Sequence, residues 1–135
     1  MAWMLDTNVL LDILTADPKW LEWSRAQFRR AVADGPIAIN PILYAELAAA
    51  FDSREELDHW LRPSLFKRLP LPYEAGFNAS RAFLAYRQTG GSRTSPLPDF
   101  YIGAHAEHAG LVLVTRDVAR YRTYFPRLKL VAPKA

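Results

Sequence analysis

Ala2–Leu5 is a run of four apolar residues that ends abruptly on Asp6-Thr7-Asn8, and no other stretch constrains the fold as tightly. An uninterrupted apolar run of this length has the pattern of a short strand buried on both faces. Asp, Thr and Asn favour helix N-caps and turns, and beyond them Val9, Leu10, Ile13 and Leu14 recur at helical spacing. Asp6 therefore stands where a buried strand gives way to a helix. In open α/β sheets that carboxyl edge is where ligands bind. Taken alone, Asp6 is better read as a helix cap than as a functional acid.

The same alternation continues along the chain. Asp17-Pro18 predicts a helix running to about Ala33, with Pro at its first position. Ile37–Ile39 is a second short strand, and Asn40-Pro41 opens an almost wholly apolar helix over 42–51 whose one charge is Glu46. Ser53-Arg-Glu-Glu56 fits a capping box for a helix ending near Arg62-Pro63. Phe66–Leu71 reads as a third strand, kept to a sheet edge by Pro70. A long amphipathic helix follows over Tyr73–Thr89, then a loop over Gly91–Pro98, then a helix over Asp99–Ala109. Leu111–Val114 is the clearest buried strand. After Thr115-Arg116-Asp117 come a short helix and a final strand, Leu128–Val131. This order predicts one α/β domain over residues 1–135, with a mainly parallel central sheet of about five strands and helices on both faces.

Composition narrows the functional classes. The 17 Lys and Arg against 14 Asp and Glu leave a charge of +3, compatible with a nucleic-acid partner without establishing one. The absence of cysteine excludes disulfides, thiolate metal sites and a Cys nucleophile, and fits a reducing compartment. No apolar run approaches the roughly 20 residues of a membrane span. The expectation is a soluble, cytoplasmic protein with no membrane partner.

Four acids stand out by position. Asp6 follows the first strand and Asp117 the fourth, so parallel strands put both at the carboxyl edge. Glu46 lies in the apolar helix after the second strand, and Asp99 opens the helix after the loop. Asp99 and Asp117 also suit helix caps, but a Glu on an apolar helix is costly to bury without a partner. Four carboxylates brought together repel unless a cation holds them. Without cysteine, and with His only at 59, 105 and 108, the ligands left are hard oxygens, which suit Mg2+ or Mn2+ rather than Zn2+. An acidic cluster of that kind in a basic protein suggests chemistry on phosphodiesters.

Leu5-Asp-Thr-Asn-Val-Leu-Leu-Asp12, Pro41-Ile-Leu-Tyr-Ala-Glu-Leu47, Pro98-Asp-Phe-Tyr-Ile-Gly-Ala-His-Ala106 and Leu113-Val-Thr-Arg-Asp117 resemble, in order, the successive motifs of the PIN domain. The size of the chain and the lack of an added domain look most like a VapC-type toxin of a toxin–antitoxin pair. The resemblance implies a metal-dependent endoribonuclease, often a homodimer, neutralised by a cognate VapB-type antitoxin. The family's acidic quartet falls on Asp6, Glu46, Asp99 and Asp117, its polar positions after the first acid on Thr7 and Asn8, and the hydroxyl before the last acid on Thr115. Asp6 and Asp99 are then the expected direct ligands of Mg2+ or Mn2+. Glu46 and Asp117 complete the site directly or through water. An activated water attacks the RNA phosphate in line, while Thr7, Asn8 and Thr115 orient water or carboxylates. Arg93 and Arg116 are candidates for the RNA backbone, a reading no better than that of solvated side chains.

Other prominent residues have plainer readings. Trp20 and Trp23 suit core or subunit packing better than a base-stacking platform. His105 and His108 suit surface or packing roles, since the helix carries both away from Asp99. The apolar ground between the 18–33 and 53–62 helices, with Trp20, Trp23 and Trp60, is the expected seat of an antitoxin helix. Among rivals, a haloacid-dehalogenase-like enzyme needs a second Asp where Asn8 stands, and a receiver domain needs an acidic pair and a late Lys that are absent. A non-catalytic PIN-like RNA- or protein-binding module remains the alternative.

Overall fold

A computed structural model describes residues 2–90 and 97–134. Arg93 lies outside the described residues. Five strands, β1 (Trp3–Leu5), β2 (Ile37–Ile39), β3 (Phe66–Arg68), β4 (Val112–Val114) and β5 (Lys129–Val131), form one sheet in the order β3-β2-β1-β4-β5, with every pair parallel. Between and around them lie α1 (Thr7–Leu14), α2 (Leu21–Asp34), α3 (Pro41–Ala48), α4 (Arg54–Trp60), α5 (Tyr73–Gln88), α6 (Leu97–Ala109) and α7 (Val118–Tyr124). From β1 the chain steps outward to β2 and β3, then returns across the sheet to β4 and β5. Right-handed crossovers put the helices of the outward steps on one face and those of the return on the other. Every residue of β1, β2 and β4 is buried, as strands covered on both faces must be. β3 is an edge strand and stops at Arg68, short of the expected Leu71 and before Pro70, which cannot join a ladder. The strand order reverses between β1 and β4, and that reversal fixes where a site can form.

Side-chain caps start three of the helices, α1, α3 and α4. Asn40 is extended and its side chain accepts a hydrogen bond from Leu43 N, with Pro41 at the first helical position of α3. Ser53 accepts from Glu56 N and starts α4. The Asp17-Pro18 pair behaves differently from its reading in sequence, because α2 begins only at Leu21. Asp17 Oδ1 accepts from Lys19 N and Trp20 N, both at 2.9 Å, closing a turn on itself ahead of the helix.

The core is continuous around the sheet. Met4, Leu5, Leu113 and Val114 are fully enclosed with Leu10, Leu43, Leu47, Phe100 and Ile102. Gly103 allows α6 to approach α7: a Cβ there would lie 2.7 Å from the Phe125 ring and 3.0 Å from that of Tyr121. No helix of the described residues is long and apolar enough to cross a membrane.

Candidate active site

The β1–β4 register pairs Leu5 with Val114, so the residues that follow, Asp6 and Thr115, emerge side by side at the reversal point. Asp6 N continues the ladder to Val114 O at 2.8 Å, and Asp6 then caps α1, with Oδ1 accepting from Thr7 N at 2.8 Å. Its Oδ2 accepts from the Thr115 hydroxyl at 2.8 Å and from the Tyr121 hydroxyl at 3.2 Å. These three donors favour the carboxylate, yet they do not offset its surroundings. Burial above all, with the charge of Asp99 added, pushes the Asp6 carboxyl up to about 7. Burial likewise holds the Tyr121 phenol well above its ordinary value, helped by the charge of Asp6.

The other three acids arrive from three further elements. Glu46 sits on α3 and its Oε1 accepts from the Thr7 hydroxyl at 2.6 Å. α3 buries only Leu43 and Leu47 and leaves Glu46 half-buried, so its charge is tolerated there, and the bond gives Thr7 a task. Asp99 lies in the first turn of α6, and Asp117 stands at the N-cap position of α7. Burial raises the Asp99 carboxyl, and the charges of Glu46 and Asp117 raise it further, while Arg120 opposes them. Asp99 is therefore the acid within electrostatic reach of the three others. A single nitrogen, Arg120 Nη1, donates to Asp99 Oδ2 at 2.7 Å and to Asp117 Oδ2 at 2.8 Å.

Arg116 is differently engaged. Its Nε and Nη2 donate to the two oxygens of buried Asp12 at 2.9 and 3.0 Å, and its guanidinium lies 5.0 Å over the Trp20 ring. Ser24 Oγ donates to the same Asp12 at 2.7 Å. This bidentate, stacked arrangement ties α1, α2 and the segment after β4 together, so Trp20 serves packing. Trp60 packs against Phe51 and Phe66, and Phe28 meets Phe66 from α2, so the ground between α2 and α4 is filled by rings. His105 is buried, with Nδ1 2.9 Å from Asn40 Nδ2. Since Asn40 Oδ1 already accepts from Leu43 N, the amide donates and the imidazole is neutral. Burial, and then the charge of His108, lower its pKa accordingly.

A model of the PIN domain family matches residues 3–126. The chain belongs to the PIN domain family. Such domains are generally metal-dependent nucleases. No curated protein matches this one by sequence. Among solved structures, its fold is similar to that of VapBC2 from Rickettsia felis bound to a promoter DNA fragment, at a TM-score of 0.74 and 21% identity, covering 99% of this chain and 100% of that one. VapBC-1 from nontypeable Haemophilus influenzae follows at a TM-score of 0.72 and 20% identity, with 98% of each chain covered. FitAcB from Neisseria gonorrhoeae gives a TM-score of 0.70 at 22% identity, again over 98% of each chain.

The donor set of this PIN domain fits a hard divalent cation. It is all oxygen, burial and neighbouring acids raise the proton affinity of Asp6 and Asp99, and Asn8 Oδ1, two residues past Asp6, is buried without a hydrogen-bond partner. No three acidic or histidine side chains among the described residues converge tightly enough to hold an ion as they stand. Arg120 occupies the point that Asp99 and Asp117 both face. Sequence reasoning missed Arg120 and Tyr121, although they stand three and four residues after Asp117, the spacing that brings helical side chains onto one face.

Proposed function

We propose that this PIN domain is a metal-dependent endoribonuclease, the toxin of a VapBC-like pair acting in the cytoplasm. The observation that carries the reading is the position of Asp99, in the field of Asp6, Glu46 and Asp117 beside the sheet's reversal point. Asp6 and Asp99 would hold Mg2+ or Mn2+, with Glu46 and Asp117 completing the site. Such an ion, when bound, supplies Lewis acidity and neutralises charge on a phosphodiester. The chain's own residues do the positioning. Thr115 and Tyr121 fix one oxygen of Asp6 and the α1 N-terminus fixes the other, while Thr7 aims Glu46. Their bonds orient the carboxylates before any ligand arrives, the role of an outer shell at metal sites.

The relatives of known structure carry the name VapBC, which favours a VapB-type antitoxin as partner here; a homodimer of the toxin is part of the same proposal. An apolar cavity of about 570 Å3 between α3, α4 and the ends of β2 and β3, lined by Tyr44, Phe51, Leu57 and Leu69, would take an antitoxin side chain better than the occupied tryptophan surface. Arg116, held by Asp12, is a weaker candidate for the RNA backbone than a free arginine.

The rival reading is a non-catalytic RNA- or protein-binding module, and the bridge from Arg120 to two of the acids is what favours it. Total RNA incubated with the purified protein, with Mg2+, Mn2+ or EDTA, separates the two. The nuclease reading expects discrete new ends, mapped by sequencing, only with metal. RNA left intact under all three conditions sinks it.

A further inference from the structure

Arg120 is used by nothing in the function proposed above, yet it stands inside the acidic site. One nitrogen serves two carboxylate oxygens, so Asp99 Oδ2 and Asp117 Oδ2 face a common point, and a guanidinium fills it. That point is where a cation shared by the two acids would have to sit. The side chain is held there lightly. It is 28% exposed, its partners are 28% and 37% exposed, and no other residue among those described accepts from its remaining nitrogens. Part-exposed ion pairs of this kind are weak, and a short swing would return the head group to water. The α7 backbone carrying it need not move. Tyr121 and Phe125 of this segment are locked in the core against Gly103, so release of Arg120 would be a side-chain event on a fixed frame.

We infer that Arg120 is an exchangeable internal counter-ion: it screens Asp99 and Asp117 from each other in the metal-free protein and must leave them when a divalent cation enters. The inference rests on reading those acids as the ion's ligands. Loading the site then trades one cation for another, and the acids are never left to repel each other unscreened. The chain therefore tolerates crowded carboxylates at the cost of metal affinity, because part of the binding free energy goes into displacing Arg120. A second cation cannot join the first there, since two positive charges at one point repel.

Calorimetric titration with Mn2+ tests this on the purified chain. Arg120→Gln, which keeps a polar side chain but not its charge, should bind Mn2+ about tenfold more tightly than wild type, or about 1.4 kcal/mol. Arg120→Lys, which keeps the charge, should stay near wild type. Affinity unchanged or weakened in Arg120→Gln overturns the inference. Asp99→Asn separates that outcome from a failure of the nuclease reading. If it binds Mn2+ as well as wild type does, Asp99 is no ligand and both ideas fall. If it loses binding while Arg120→Gln gains nothing, only the counter-ion fails. Should Arg120→Gln not fold, the wild-type chain still decides. On addition of Mg2+, the Arg120 side-chain NH signals in NMR should pass from protected to rapid exchange with water, and protection that persists at saturating Mg2+ contradicts the exchange.

Discussion

Two arginines four positions apart, Arg116 and Arg120, both pair with acids at the carboxyl edge of the sheet, and they do so in opposite ways. Arg116 meets one buried carboxylate with two nitrogens, under the cover of an indole and with Ser24 bonded to the same Asp12. Arg120 meets two part-exposed carboxylates with one nitrogen and has no further support among the described residues. The first is a fixed joint between α1, α2 and the segment carrying Thr115 and Asp117. The second is a charge placed where another charge could replace it. Geometry and burial, more than the count of ion pairs, separate a structural arginine from an exchangeable one.

The largest effect is expected at the exchangeable end. Asp99→Asn should lower metal-dependent RNA cleavage by orders of magnitude while far-ultraviolet circular dichroism stays native. Cleavage at the wild-type rate would remove Asp99 from the site.

Next comes pH. The Asp6 carboxyl is raised on folding from 3.8 to about 7, so the folded chain binds more protons than the unfolded one between those values. Stability of the metal-free protein should therefore fall as pH rises through that window, by up to roughly 4 kcal/mol from this group. His105, lowered on folding, contributes the opposite slope below its ordinary value of 6.5. The measurement is thus the difference between wild type and Asp6→Asn in urea denaturation with EDTA. The variant should gain on wild type steadily from pH 4 to pH 8, and parallel curves would show that Asp6 is not strained.

At the fixed end, Arg116→Ala leaves Asp12 buried and charged, and should cost about 3 kcal/mol in the urea midpoint analysis. Arg116→Lys should recover only part, because an ammonium cannot match the two-toothed contact. A loss below about 0.5 kcal/mol would make Arg116 as dispensable as an exposed pair. The smallest effect is expected for Arg120→Gln without metal, a change of no more than about 1 kcal/mol, since exposed pairs hold little. A loss as large as that of Arg116→Ala would erase the distinction between the two arginines.

Much of this fold is legible in the sequence because its strands are short apolar runs that stop on capping residues. Ala2–Leu5, Ile37–Ile39 and Leu111–Val114 each announce a strand, and the alternation with helices implies parallel pairing. The placement of Asp6 and Asp117 at one edge follows from that pattern. Other features depend on contacts that no local signal carries. Asp12 finds Arg116 across 104 positions, so a residue that looked available for RNA is committed elsewhere. Asp17-Pro18 has the composition of a helix start, but its carboxylate closes a turn first. Arg120 and Tyr121 were within reach of reasoning, since a helix beginning at Asp117 puts both on the face of that acid. The face of this short helix is set by the packing of Tyr121 and Phe125 against Gly103, a contact between distant parts of the chain.

On this reading the acids at the β1–β4 reversal hold a divalent cation in place of Arg120. Anomalous diffraction from crystals of the chain soaked in Mn2+ tests it most directly. A peak within coordination distance of Asp99 and Asp117, at the point the Arg120 head group has left, is the result expected. A peak elsewhere, or none at millimolar Mn2+ with Arg120 still bridging both acids, would contradict it.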